Sequence, residues 1–228
     1  RRRRGGAGAR WGGGRGRRCG ASAFPGACGG GAPGPGEAAS WLAAHGAPEA
    51  LLPLADDLKG RLAVAALREA LAASGLEVRG PRLGVCLGSE ASRPSLGGVA
   101  ARLRTGDLPG ADELARWSPD APTRLVAAVV GAEGPATTIS TACTSSSQAV
   151  GEGLLRIRRG EVDAMVVGGV DVLVDPIMIT GFSKLGALST RNEAPTAASR
   201  PFDRGRDGFV LGEGAGFLVL ERLSVARA

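Results

Sequence analysis

The strongest chemical signal is the run Thr137-Thr138-Ile139-Ser140-Thr141-Ala142-Cys143-Thr144-Ser145-Ser146-Ser147-Gln148-Ala149-Val150-Gly151. β-Branched residues predict a strand over Thr137 to Thr141, and the small residues that follow return to helical spacing over 145–159. Cys143 thus falls at a strand-to-helix junction, where unpaired backbone N–H groups and the positive helix end converge. Such a setting lowers a thiol's pKa and populates the thiolate, which is the nucleophilic form. The same N–H groups could stabilise an oxyanion on a thioester carbonyl. Spacing alone also fits a buried structural cysteine, so both readings stay open.

Other reactive patterns are weaker. Gly212-Glu213-Gly214-Ala215-Gly216 invites a dinucleotide reading, but it runs into a predicted strand, Phe217 to Leu220, where a phosphate-binding loop must open a helix. No G-x-S-x-G elbow supports a serine hydrolase, and Ser145 to Ser147 read as helix-start residues. Cys19, Cys28, Cys86 and Cys143 lack zinc-ribbon or CxxC spacing and are too few for a disulfide scaffold. The sequence therefore predicts no metal, no tightly held cofactor and a reducing cytoplasmic setting.

Several elements must position Cys143. Residues 1–40 are mostly glycine, arginine, alanine and proline, with no Val, Ile or Thr before Val64. They read as a disordered Arg/Gly-rich leader whose removal should leave the melting temperature almost unchanged, within a few degrees. With a basic start and no apolar core, the segment is no secretory signal. Ser40 to Leu54, with the lone histidine His45, forms a short helix or loop. From residue 41 onward a single α/β domain is expected. Its helix around Leu58, Leu62, Ala65, Ala66 and Leu71 stops at Gly75. A buried strand covers Arg82 to Gly88, a helix ends near Leu103, and another spans Arg124 to Val130. Val162 to Val170 is a continuous apolar run, as in a strand buried on both faces, and Gly216 to Glu221 is a last strand.

The net charge of +6 conceals an asymmetry: eight arginines and no acid from Arg1 to Arg18 give +8, leaving −2 on the rest. A nucleic-acid binder carries its basic surface on the folded body, so nucleic acid is not the expected partner, although the tail could touch phosphates non-specifically. No apolar run reaches the length of a membrane span.

The segment Gly134 to Gly153, with Thr141-Ala142-Cys143, resembles the active-site segment of the β-ketoacyl synthases, the condensing enzymes of fatty acid and polyketide synthesis. The resemblance continues through Arg158 to Gly169, Gly181 to Asn192, and Ser199-Arg200-Pro201-Phe202-Asp203 onward to Gly216. It implies a thiolase-like α/β fold of two similar halves, of which this chain is the N-terminal one. It implies that Cys143 accepts an acyl chain from acyl carrier protein, whose phosphopantetheine arm carries it. Phe182 then lines the acyl pocket, or is a plain core residue, and Arg200, Asp203, Asp207 and Glu213 form a structural signature loop.

The resemblance also marks departures. The family's two second-half histidines, which serve decarboxylation of the malonyl group, have no counterpart here, and His45 does not match them. The family's opening strand, placed at the centre of its first sheet, is missing too, so an unpaired sheet centre is expected. The chain then reads as a fragment inactive in condensation alone, as one half of a split enzyme, or as a catalytically silent module pairing with an active synthase. Its partners would be acyl carrier protein and either a second copy, joined through Thr137 to Thr141, or the missing C-terminal half.

Overall fold

Alternation along two neighbouring strands organises the fold. Strand β1 (Leu83–Gly88) is buried along its whole length, and β3 (Ala164–Val172) along most of it. Because side chains alternate across a strand, each one supplies two faces. Leu83, Val85, Leu87, Ala164, Val166 and Val170 belong to one apolar cluster, and Cys86, Met165 and Val167 to another. Helices must cover both faces, which gives an α/β/α sandwich. The computed structural model describes residues 32–227.

The sheet has the order β2-β1-β3-β4, with β2 spanning Ala136–Ile139 and β4 spanning Glu213–Glu221. Strands β1, β2 and β3 run parallel, and β4 lies antiparallel on β3. The four strands pair consecutively, so the expected gap at the sheet centre is absent. Helix α1 spans Pro35–Ala44, and α2 spans Leu58–Ser74 and ends at Gly75, whose φ of +62° is the left-handed cap expected from the sequence. Helices α3 (Leu96–Thr105), α4 (Ala111–Trp117) and α5 (Ala121–Val130) follow. Helix α6 (Ser145–Arg158) connects β2 to β3, and α7 (Pro176–Lys184) connects β3 to the loop before β4. Helices α2 and α5 cover one face and α6 the other.

Two further expectations need correction. The boundary at residue 40 cuts through a helix: Ala38 and Leu42 of α1 are both 0% exposed, packed in a cluster with Val64 and Leu125. Alanine supplies helix propensity and a small buried face without any β-branched residue, so composition alone concealed the element. Of the disordered leader expected over residues 1–40, residues 1–31 lie outside the described residues. Helix α7 had no sequence assignment, because its apolar residues surround Gly181 and it is only nine residues long.

The strand predicted over Thr137 to Thr141 ends at Ile139 instead. Ile139 accepts the Ser89 N–H at 3.1 Å, after which Thr141 turns its own N–H to the Ser145 hydroxyl. The last residues of the β-branched run therefore build a turn.

Helix α1 gives a direct test. Leu42→Ala should cost about 3 kcal/mol in chemical denaturation, the usual loss for a fully buried leucine. A loss below about 0.5 kcal/mol would show that α1 does not pack on α2 and α5.

Candidate active site

Cys143 sits in a single 3₁₀ turn, Ala142–Thr144, between β2 and α6. It is exposed and free, whereas Cys86 is buried within β1. Before it, Ala142 has φ +55°, a left-handed conformation unusual for a side-chain-bearing residue. Such strain persists only where neighbours over-determine it. Here they are identifiable. The Ser145 hydroxyl accepts the Thr141 N–H at 2.8 Å and donates to the Ala142 carbonyl at 2.7 Å. The Thr144 hydroxyl donates to the Thr141 carbonyl at 2.9 Å. The Ala142 N–H donates to the Glu90 carboxylate at 3.3 Å. Ser145 is thus a staple across the turn that aims Cys143, a role the helix-start reading of the serines did not supply.

The start of α6 is also pressed onto the sheet. Gly88 and Gly169 are register partners on β1 and β3. A Cβ on Gly88 would lie 2.4 Å from the Ser146 nitrogen, and one on Gly169 would lie 2.7 Å from the Ser146 Cβ. Two glycines side by side therefore form the seat for the first turn of α6. The turn stands at the C-terminal ends of three parallel strands, the usual place for sites in open α/β sheets.

A cleft of roughly 550 Å³ opens there, lined by Cys143, Ser89, Glu90, Arg93, Asp171, Met178 and Phe182 among others. That volume is in the range of ordinary small-molecule sites. The structure therefore brings Phe182 and Cys143 to one cleft, with Phe182 placed by α7 and held edge-on to Phe209 at a centroid distance of 5.2 Å.

The signature residues lie apart from this lining. Arg200 pairs with Asp207 at 3.3 Å, and Asp207 accepts the Ser189 hydroxyl at 2.9 Å and the Thr190 N–H at 3.1 Å. The Ser189 hydrogen bond is the main influence holding the Asp207 carboxyl below its usual range. Asp203 accepts the Gly205 N–H at 2.6 Å, and Glu213 accepts the Val174 N–H at 3.2 Å. These contacts tie the loop before β4 to itself and to the segment leading into α7. His45 caps the C-terminus of α1, stacked on Trp41 at 4.1 Å, and does not line the cleft.

Sequence reasoning missed Lys59, Glu90 and Asp171. Each is a single polar residue in an unremarkable context, and nothing local announces that they meet at the cleft.

Residues 55–226 match the family described as β-ketoacyl synthase, N-terminal domain. The ketoacyl synthase alpha subunit of the tetracenomycin polyketide synthase from Streptomyces glaucescens is 43% identical over 185 residues, covering 75% of this chain and 43% of its own. The 3-oxoacyl-[acyl-carrier-protein] synthase 2 of Vibrio cholerae is 39% identical over 184 residues, with the same shares of 75% and 43%. Among solved structures, a type II polyketide synthase acyl carrier protein in complex with its hexaketide-bound ketosynthase matches with a TM-score of 0.64 and 29% identity, over 73% of this chain and 44% of that one. The chain spans somewhat less than half the length of these relatives. The match across 55–226 and the shared sheet and helix layers lead to one assignment: the chain belongs to the β-ketoacyl synthase family and has the N-terminal half of its thiolase-like fold.

Proposed function

We propose that this chain supplies the acyl-accepting half of a ketosynthase of fatty acid or polyketide biosynthesis, with Cys143 as the nucleophile. The observation that carries this reading is the placement of an exposed cysteine on a strained, multiply hydrogen-bonded turn at the mouth of a cleft. The Cys143 thiolate attacks the thioester carbonyl of an acyl group borne by acyl carrier protein. The tetrahedral oxyanion then collapses, the bond from carbonyl carbon to the carrier sulfur breaks, and the released carrier thiolate takes up a proton. Phe182 and Met178 give the cleft an apolar wall for the chain.

The partner assignment is supported by the solved complex of an acyl carrier protein with its ketosynthase. Condensation is assigned to a complementary second half, because His45, remote from the cleft, offers no proton donor or acceptor at Cys143. Leu154 and Leu155 on α6 and Ile177 and Ile179 on α7 are each more than 40% exposed, an apolar surface that such a half would cover. Among the described residues no helix is long and apolar enough to cross a membrane.

The test is intact-mass spectrometry after incubation with acyl carrier protein loaded with a medium-chain acyl group. The expected result is a slow, substoichiometric adduct that Cys143→Ala abolishes, with no β-ketoacyl product. A chain that yields β-ketoacyl product alone would overturn the division of labour, and an adduct that survives Cys143→Ala would overturn the nucleophile.

A further inference from the structure

Lys59 lies in the first turn of helix α2 and is 3% exposed, an unusual burial for a lysine. Its ammonium has three protons and meets three acceptors. It donates to the Ser89 hydroxyl at 3.4 Å and to the Glu90 backbone carbonyl, and it pairs with the Asp171 carboxylate at 3.4 Å. A group saturated in this way is fixed in place. Its acceptors all line the Cys143 cleft. Ser89 and Glu90 follow the end of β1, and Asp171 is near the end of β3.

The connection to the nucleophile is short. The Glu90 whose main-chain carbonyl Lys59 holds is the residue whose carboxylate accepts the Ala142 N–H. Ala142 is the left-handed residue immediately before Cys143. The Ser89 N–H, in turn, is bonded to Ile139, the last residue of β2.

We propose that Lys59 is a positioning residue: it locks the Ser89–Glu90 loop, which through the Glu90 carboxylate holds the Ala142–Thr144 turn in the strained shape that presents Cys143. What this positioning serves rests on Cys143 as acyl acceptor, whereas the mechanical link from Lys59 to the turn does not.

The test uses Lys59→Met, which keeps the stem and removes the donors, and Glu90→Ala, which removes the link at a partly exposed position. Hydrogen exchange is followed in a peptide covering Thr137 to Gln148 and in peptides from α2 and β3. Each folded variant should speed exchange in the turn by about tenfold with α2 and β3 unchanged, the pattern of a local opening. Acylation of Cys143 by a soluble acyl thioester should slow by about tenfold, as expected for a small misplacement of a nucleophile. Unchanged exchange in the turn, or equal acceleration throughout α2 and β3, would overturn the proposal. If Lys59→Met does not fold, the Glu90→Ala exchange pattern decides alone. A wild-type chain that is never acylated would sink the functional reading and leave the exchange result standing.

Discussion

Iodoacetamide at pH 8 should label Cys143 at least about a hundredfold faster than Cys86 in the folded chain. The two thiols share a chain but not an environment. Cys86 lies inside β1 with no exposed surface, and burial, with the Glu152 carboxylate nearby, pushes its thiol up to about 11. At pH 8 a thiol of that pKa is ionised in roughly one molecule in a thousand, and the reagent must also wait for the sheet to open. Cys143 is exposed on its turn and needs no opening. Peptide-resolved mass spectrometry separates the two from Cys19 and Cys28. In denaturant the difference should vanish. Comparable rates under native conditions would mean that β1 is not buried as described, and the sandwich itself would be in question.

Gly88→Ala should cost about 3 kcal/mol or more and should also lower the reactivity of Cys143. The added methyl would lie 2.4 Å from the Ser146 nitrogen and 2.5 Å from the Ser145 carbonyl carbon. Both are backbone atoms, so no rotamer change relieves the clash. To reach ordinary van der Waals separation, the first turn of α6 must retreat by about 1 Å. Ser145 would retreat with it, and Ser145 is the residue that staples Thr141 and Ala142. Stability and site geometry therefore fail together. Gly151→Ala on the same helix is the control. Its methyl would meet nothing within 4 Å, and removing a mid-helix glycine should stabilise by up to about 1 kcal/mol. Urea denaturation measures both, and equal effects of the two substitutions would refute the close seating of α6 on β1 and β3.

The division between what local sequence determines and what packing decides follows the range of the forces involved. Val162 to Val170 announces a strand buried on both faces, and the position of Cys143 between a β-branched run and a helix is equally legible. Periodicity and propensity act over a few residues and leave their mark in composition. Helix α1 escaped because a glycine- and alanine-rich background hides a short helix, and only contact with Val64 and Leu125 shows what Ala38 and Leu42 are for. The end of β2 at Ile139 escaped because Thr141 chose the Ser145 hydroxyl over a strand neighbour, a competition settled by the turn. Of the cleft, only Cys143 and, by resemblance, Phe182 were legible. Lys59, Glu90 and Asp171 come from a helix, a loop and a strand far apart in the chain, and parallel pairing of β1 with β3 brings their ends to one place. No local pattern records such a meeting, because the burial that makes an ammonium demand three acceptors exists only once the layers have closed.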